Sequence, residues 1–329
     1  MADLDGSILR AFLEAGDRAV SGDDLAGELG VSRVAVWARL GRLRREGFAF
    51  EAAPRKGYRL TGTPPRVHAA LLEAHLRRLG CRMACEVLET TDSTNSEAER
   101  RLAEGAEAPF VVLARRQTAG RGRLGRAWQS DRADNLYLSL AFRPFLPLDR
   151  LGPFTVWMGL AVCEHLAEAH GAELGLKWPN DLLDARGRKV AGMLTEARVD
   201  ADAVRDLVFG LGLNLEGPGK DWPAELRRKA GGLREAADKP LDPSATAAGV
   251  LAALERAWER FEAGDFTSDF RKQAARRDCL RGKAVKVTLR GEPLGGTAEG
   301  IEDDGALRLK LANGKLMRVA SGEVTLRGV

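Results

Sequence analysis

The chain has 329 residues, of which 44% are hydrophobic and 30% charged, and its formal net charge is +4. That length allows two or three domains with sizeable cores, and the composition is that of an ordinary globular protein rather than a disordered one. No apolar run approaches the about 20 residues of a membrane helix, and Met1-Ala2-Asp3-Leu4-Asp5 lacks the basic start of a signal peptide. We therefore predict a cytoplasmic protein, and a net charge this small does not by itself indicate nucleic-acid binding.

Metal-centred and histidine-based chemistry has little support in the sequence. Cys81, Cys85, Cys163 and Cys279 show no CxxC pairing, which favours reduced, buried thiols over a zinc site or disulfides. All four histidines lie on segments with helical patterns, so we predict no protein metal site.

Residues 1–62 are predicted to form a winged helix-turn-helix domain. The pattern indicates helices at 7–13, 21–29 and 32–46, a turn at Gly30-Val31, and two strands of a wing between 48 and 60. Ser21 or Asp23 is the expected cap of the second helix and Ser32 that of the third.

Charge is distributed unevenly within this domain. Residues 32–59 hold eight Lys or Arg against two acidic residues, whereas 1–31 hold two against seven. The third helix and the wing are therefore the expected DNA-contacting face. Val34, Val36, Leu40 and Leu43 are predicted to face inward, and the candidate DNA-binding residues are Ser32, Arg33, Trp37, Arg39, Arg42, Arg55 and Lys56. The alternative is a helical bundle with a solvated basic face, in which Trp37 belongs to the core.

The remainder of the chain is predicted to be α+β, with a catalytic domain at 66–278 and a small β-barrel at 279–329. Helices are expected at 67–79, 92–106, 151–169 and 243–261, and strands at 86–89, 110–114, 135–142, 174–177, 189–197 and 206–215. The turn residues 184–187 are predicted to join two adjacent antiparallel strands, which makes the sheet mixed or antiparallel. Short strands separated by glycine-containing turns predict the barrel.

The run from Gly120 to Trp128, GRGRLGRAW, is suited to holding an anion. Glycine lets backbone N–H groups approach a phosphate or carboxylate closely, and arginine adds planar donors. The run contains GxGxxG, but the following segment alternates like a strand rather than a helix, which argues against a dinucleotide fold. It also has Walker A spacing, but Arg126-Ala127 replaces the lysine and hydroxyl residues of that motif. A basic surface hairpin loop is the remaining alternative.

A second polar cluster lies at 177–181, where Lys177-Trp178-Pro179-Asn180-Asp181 ends a strand with a cation, an amide and a carboxylate. Lys189-Val190-Ala191-Gly192 begins the next strand with a second lysine and a glycine that allows close ligand approach. Ordinary turn chemistry and a core position for Trp178 are the structural alternative.

These segments, together with Ser93-Thr94-Asn95, Gly212-Leu213-Asn214 and the terminal 321–327, resemble those of the biotin protein ligases. With the helix-turn-helix in front, nearly the whole chain resembles the bifunctional form that is also the biotin operon repressor. The resemblance implies a winged helix-turn-helix, a central biotin/lipoyl-ligase-type mixed sheet with helices, and a C-terminal SH3-like barrel.

The implied reaction has two steps. Biotin and MgATP give biotinyl-5′-adenylate and pyrophosphate, and a lysine of biotin carboxyl carrier protein then accepts the biotinyl group. The implied catalytic residues are Lys189, Arg123 and Asp181. The implied biotin-binding residues are Ser93, Thr94, Asn95, Gln117, Gly120, Arg121, Gly122, Arg123, Lys189 and Gly192. The implied ATP-binding residues are Arg121, Arg123, Trp128, Lys177, Asn180, Asn214 and Arg327. Mg²⁺ is expected to arrive with ATP, with Asp181 as an additional ligand or as a group that orients the attacking lysine.

The resemblance also implies a homodimer when adenylate is bound, with paired wings spanning two operator half-sites. Leu124 and Ala127 depart from relatives that carry basic residues there, which bears on loop closure rather than on the chemistry. The alternatives are a monofunctional ligase with a vestigial DNA-binding module, a lipoate-type ligase, and a metabolite-sensing repressor without catalysis.

Overall fold

The computed structural model describes residues 4–53, 56–289 and 292–326, which group into two compact units. Residues up to 82 and residues 241–252 form the first unit, and residues 83–240 and 253 onwards form the second. Within the described ranges, no helix is both long enough and apolar enough to cross a membrane.

The first unit contains the predicted helices and wing strands. Its elements are α1 (Leu4–Ala15), α2 (Gly22–Leu29), α3 (Arg33–Arg45), β1 (Ala49–Ala53), β2 (Gly57–Gly62) and α4 (Ala69–Leu79). The predicted caps are confirmed: Ser21 Oγ accepts from the backbone N–H of Asp23, and Ser32 Oγ accepts from that of Ala35 at 3.1 Å. β1 and β2 pair antiparallel, which confirms the wing hairpin.

The core of this unit lies between α1, α3 and α4. Val36, Leu40 and Leu43 of α3 are buried there, as predicted, and Leu71 of α4 packs into the same cluster. The prediction for Val34 was wrong, because its side chain is 74% exposed. A residue two positions from Val36 lies about 200° around the helix, on the opposite face.

The second unit holds the remaining elements. Its helices are α5 (Thr94–Ala103), α6 (Phe154–His170), α7 (Ala224–Lys229), α8 (Leu233–Ala236), the later part of α9 (Pro243–Ala263) and α10 (Thr267–Arg277), with 3-10 turns at Arg123–Gly125 and Leu148–Leu151. Its first eight strands are β3 (Ala84–Thr91), β4 (Phe110–Gln117), β5 (Leu136–Phe142), β6 (Leu146–Pro147), β7 (Gly175–Lys177), β8 (Asp181–Leu183), β9 (Lys189–Asp200) and β10 (Ala203–Leu213).

These eight strands form one mixed sheet, as predicted. The order is β3-β4-β5-β10-β9-β8-β7, with β6 paired to β10. β3 and β4 are parallel, and the other pairs are antiparallel. The turn at 184–187 joins β8 to β9, so β8 was missed; three residues are too few to show an alternating pattern.

Aromatic packing fixes α6 and α9 against this sheet within the second unit. Phe142 of β5 stacks on Trp258 at 4.0 Å between ring centroids, and Phe154 packs edge-on against Phe209 of β10. Trp128 of the Gly120–Trp128 loop lies against Gly192 near the start of β9 and Gly212 near the end of β10.

The C-terminal strands form a second, antiparallel sheet. They are β11 (Ala284–Leu289), β12 (Glu292–Ile301), β13 (Leu307–Lys310), β14 (Leu316–Val319) and β15 (Glu323–Leu326), in the order β14-β13-β12-β11-β15. Within the described residues no pairing of β14 with β15 closes this sheet into the predicted barrel.

Candidate active site

The second unit has a cavity of about 360 Å³ that collects most of the residues predicted to carry chemistry. Its lining includes Ser93, Thr94, Asn95, Gln117, Arg121, Gly122, Arg123, Trp128, Lys177, Asn180, Asp181, Lys189, Gly192 and Asn214. These side chains come from the start of α5, the Gly120–Trp128 loop, the β7–β8 hairpin, β9 and the end of β10. Segments that are far apart in sequence therefore meet at one place.

Gly120 is the predicted biotin- or ATP-binding position among the described residues that is not part of this lining. Gly120 lies behind the cavity wall, where a Cβ would come 2.3 Å from Ser130 Oγ and 2.6 Å from the Trp128 carbonyl oxygen. Only glycine fits so close an approach. Arg327 lies outside the described residues.

Glycines on β9 and β10 allow Trp128 to lie on the sheet. A Cβ at Gly212 would come 2.5 Å from the indole of Trp128, and one at Gly192 would come 2.9 Å from the same ring. The indole Nε1 is buried without a hydrogen-bond partner among the described residues. The result is a flat aromatic surface with one available donor.

Neutral polar side chains form one wall of the cavity. Gln117 Oε1 accepts from the backbone N–H of Thr94 at 2.8 Å and from its hydroxyl at 3.2 Å. Ser139 Oγ donates to Asn95 Oδ1 at 2.6 Å and lies 2.8 Å from Thr94 Oγ1. Thr94, Asn95, Ser139 and Ser93 are all buried. Such a wall suits an uncharged group with both donors and acceptors.

Lys189 lies between a carboxylate and an aromatic ring. Its Nζ is 2.6 Å from Asp181 Oδ1 and 5.0 Å from the centre of the Trp128 ring. The two residues lie on the neighbouring antiparallel strands β8 and β9, where Asp181 is opposite Gly192 and Lys189 is opposite Leu183. The ammonium is thus held at the cavity by two contacts.

Arg123 and Lys177 supply further positive charge. Arg123 donates to Asn180 Oδ1 at 3.3 Å and to the Gly322 carbonyl oxygen at 3.2 Å, and burial lowers its pKa. No carboxylate forms an ion pair with Arg123 or Lys177 within the described part of the chain. A guanidinium and an ammonium remain available for an anion.

Carboxylates elsewhere in the fold neutralise the other two arginines of the loop. Arg121 Nη2 lies 2.6 Å from Glu196 Oε2 and 3.4 Å from Glu99 Oε2. Arg126 pairs with Glu323 of β15 at 2.5 Å. The three arginines therefore differ: carboxylates neutralise Arg121 and Arg126, whereas Arg123 has no ion-paired carboxylate among the described residues.

The β7–β8 hairpin connects the cavity to the C-terminal sheet of the same unit. Trp178 is buried, contributes to the cavity lining, and donates from Nε1 to the Gly305 carbonyl oxygen at 2.8 Å. Asn180 Nδ2 donates to the Met193 carbonyl oxygen at 2.8 Å, which fixes its oxygen toward Arg123. Asn180 is therefore positioned from both sides.

The segment after β10 contributes residues that sequence reasoning missed. Trp222, Leu226, Lys229 and Ala230 line the cavity. This stretch is rich in Gly, Pro and charged residues, so it lacks a periodic pattern, and the one apolar signal is Trp222 in a polar surrounding. Trp222 Nε1 and Asn214 Oδ1 are both buried without a partner among the described residues. The lining residues thus include one unpaired donor and one unpaired acceptor.

Few described side chains around the cavity could bind a metal ion. The described residues contain no cluster of three or more His, Cys, Asp or Glu that could hold a metal ion. Among the described lining residues the carboxylates are Asp181 and Glu323. The four cysteines form no disulfide, and burial raises the pKa of Cys279 to about 11.

The candidate DNA-contacting face lies in the first unit. Trp37 is 64% exposed, so the alternative that places it in the core is wrong. Arg33 is also exposed and lies 3.4 Å from Asp23. Arg39 and Arg42 both contact the buried carboxylate of Asp5, with Arg39 Nη1 at 3.5 Å. Ser32 caps α3, Lys56 lies in the exposed turn of the wing, and Arg55 lies outside the described residues.

Three family models match the chain in order. A helix-turn-helix domain matches residues 7–59, the biotin/lipoate A/B protein ligase family matches 87–214, and the biotin protein ligase C-terminal domain matches 281–327. The central match includes every predicted cavity residue up to Asn214, and the last includes Arg327.

Curated relatives and solved structures are similar to the chain over most of its length. The bifunctional ligase/repressor BirA of Bacillus subtilis is 32% identical over 97% of both chains, and that of Escherichia coli is 30% identical over 93% of this chain and 92% of its own. A solved biotin protein ligase from Aquifex aeolicus, in complex with biotin and ATP, is 30% identical, with a TM-score of 0.61 over 74% of this chain and 98% of that one.

Proposed function

The chain belongs to the biotin protein ligase family, in the form with an N-terminal helix-turn-helix domain, and we propose that it makes biotinyl-5′-adenylate from biotin and ATP. A biotin carboxylate oxygen would attack the α-phosphorus, and pyrophosphate would leave. A lysine amine of the biotin carboxyl carrier protein of acetyl-CoA carboxylase would then attack the biotinyl carbonyl and release AMP. The observation that carries this proposal is the pair of cations, Lys189 and Arg123, beside both a neutral polar wall and an indole surface.

The two cations address the main electrostatic barrier of the first step. A carboxylate and a triphosphate are both anionic and repel each other, and negative charge grows at the α-phosphorus in the transition state. Lys189 and Arg123 offset that repulsion, and partial burial strengthens their attraction for the anions. Lys177 and Asn180 of the β7–β8 hairpin line the same cavity and are assigned to the phosphates.

Recognition of biotin is assigned to the polar wall. The ureido ring of biotin is uncharged and carries N–H donors and a carbonyl acceptor, which matches Ser93, Thr94, Asn95 and Gln117. Gly122 allows the ligand to approach the backbone closely, and Gly192 makes room for Trp128 and Lys189 beside the cavity. Gly120 acts indirectly, because it lets the loop pass against Ser130.

Recognition of ATP is assigned to the opposite end. Trp128 offers a ring face for adenine, and Asn214 Oδ1 is an unpaired buried acceptor for its amino group. Arg327 completes the predicted set but lies outside the described residues. Mg²⁺ would accompany the triphosphate, and Asp181 would be its protein ligand or orient the attacking lysine amine, because it is the carboxylate next to Lys189.

The helix-turn-helix domain supports a second role as a repressor of biotin genes. We assign operator contacts to Ser32, Arg33, Trp37, Arg39, Arg42, Arg55 and Lys56. Arg33 and Trp37 are exposed and available for the groove, whereas Arg39 and Arg42 also hold Asp5. A homodimer formed by the adenylate-bound chain would present two such domains to two half-sites. The functional boundaries proposed are 1–62, 66–278 and 279–329.

Biotin-dependent release of pyrophosphate from ATP is the direct test of the ligase proposal. We expect release with biotin and not with lipoate, because the cavity pairs a polar ureido-sized wall with its cations. A lipoate-type ligase would show the reverse preference. A repressor without catalysis would release no pyrophosphate with either acid.

The Gly120–Trp128 loop is expected to become less accessible when the adenylate forms, because a reactive mixed anhydride must be kept from water. Limited proteolysis should cut the chain within 117–128 several times more slowly in the presence of biotin and ATP. Biotin with a non-hydrolysable ATP analogue serves as the control. Equal cleavage under all conditions would contradict this role for the loop.

A further inference from the structure

A single carboxylate oxygen joins the polar wall of the cavity to the Gly120–Trp128 loop. Glu196 Oε2 accepts from Asn95 Nδ2 at 2.8 Å and from Arg121 Nη2 at 2.6 Å. Asn95 is 4% exposed, and its Oδ1 is held by Ser139 Oγ at 2.6 Å. Asn95 Nδ2 also donates to the Leu194 carbonyl oxygen at 3.2 Å, so the Asn95 amide is oriented by two acceptors at its nitrogen and a donor at its oxygen.

A second carboxylate strengthens the contact on the loop side. Glu99 of α5 lies 3.4 Å from Arg121, and burial together with the charge of Glu196 raises the pKa of Glu99. Two carboxylates this close repel each other unless a cation lies between them. The Arg121 guanidinium is that cation, so the loop is attracted to both α5 and β9.

The strand geometry relates Glu196 to the residues that face the substrates. Gly192 and Leu194 of β9 line the cavity, and Glu196 follows on the same face because side chains alternate along a strand. Lys189 begins the same strand. One strand thus carries the cation assigned to the reacting anions and, seven residues later, the carboxylate that holds Arg121.

We infer that Glu196 is a positioning residue that couples the biotin-binding wall to the loop, through an oxygen shared by Asn95 and Arg121. This inference rests on the proposed ligase function. Arg121 then acts as the anchor of the loop, and Arg123 is the loop arginine that meets the substrate anions. Distortion of the polar wall around Asn95 would weaken the attachment of the loop, and loss of Arg121 would weaken the binding of biotin.

The test uses E196Q and R121Q in the full chain. The glutamine carbonyl of E196Q can still accept from Asn95 but carries no charge for Arg121. We expect the half-life of bound biotinyl-adenylate, measured without carrier protein, to shorten by roughly tenfold, the size of one charge-assisted hydrogen bond. The KM for biotin should rise by a similar factor while the KM for ATP stays within about twofold. R121Q should give the same changes, and the double variant should be no worse than either single one.

E89Q is the matched control, because Glu89 pairs with Arg115 on the neighbouring strands β3 and β4 and does not line the cavity. Its adenylate half-life should equal that of the wild type. An active wild type together with an E196Q that matches it, or with effects that add in the double variant, would overturn this inference alone. A wild type without biotin-dependent pyrophosphate release would overturn the proposed function and this inference with it.

Discussion

K189A is expected to lower kcat/KM for biotin-dependent pyrophosphate release by roughly 100- to 1,000-fold, the cost of removing one preorganised charge from a transition state. Lys189 is the cation that the fold holds between Asp181 and the Trp128 ring, at 2.6 Å and 5.0 Å. The Lys189 ammonium should stabilise the transition state more than the bound substrates, because negative charge grows at the α-phosphorus. The loss should therefore fall mainly on kcat rather than on the KM for either substrate.

Two further variants are needed beside K189A, because K189A also leaves Asp181 without its ion pair. The double variant K189A/D181N removes the unpaired charge, and if Lys189 itself acts on the reaction, activity should stay low in that background. K272A is the control, since Lys272 is an exposed lysine of α10 that lies 3.9 Å from Asp269. Recovery of near wild-type activity in K189A/D181N would show that the defect came from the stranded carboxylate instead.

The residues that line the cavity were easier to pick out from the sequence than the strands that carry them. Lys177-Trp178-Pro179-Asn180-Asp181 was singled out by its dense chemistry, yet β8 begins at Asp181 and was missed, because three residues cannot show a period. Charged and polar residue types can be recognised in a short run of sequence, whereas a three-residue strand is defined by the strands with which it pairs. Lys177 and Asp181 are opposite each other in the backbone register of β7 and β8, which the two residue types do not reveal.

The ion-pair partners of the loop arginines were likewise not predictable from the sequence. The GRGRLGRAW run contains no acidic residue, so its three arginines look equivalent in sequence. The fold distinguishes them, because Glu196 and Glu323 come from strands that lie some 70 and 200 residues further along the chain. Their partners follow from sheet topology, which one sequence does not encode in any local pattern.

Helix faces were predictable where the apolar pattern was regular. Val36, Leu40 and Leu43 share one side of α3 and are buried, whereas Val34 was assigned to the core for its residue type alone. Its exposure places an apolar side chain beside Trp37, on the face that lies opposite the core. Two exposed apolar side chains side by side are unusual on a solvated helix face. Such a face is suited to contact the methyl groups of thymines in a major groove.

Operator binding is accordingly expected to depend on both the adenylate and this face. Addition of biotin and ATP should strengthen binding to the promoter of the biotin genes by roughly 10- to 100-fold, which corresponds to a coupling of about 1–3 kcal/mol. The proposed cause is dimerisation, since a dimer engages two half-sites at once and a monomer engages one. Gel shifts with biotin alone, ATP alone and both together would measure the coupling.

W37A separates the two roles of the chain. Trp37 projects from α3 into solvent in the first unit, and the cavity residues all belong to the second. We therefore expect W37A to lose most operator affinity while pyrophosphate release stays at the wild-type rate.

K189A should show the complementary pattern, because it cannot make the adenylate efficiently but should respond to adenylate supplied from outside. Operator binding that is equally strong with and without biotin and ATP would mean that the helix-turn-helix domain acts independently of the ligase site. A complete absence of binding, in turn, would identify the chain as a ligase whose DNA-binding domain no longer represses.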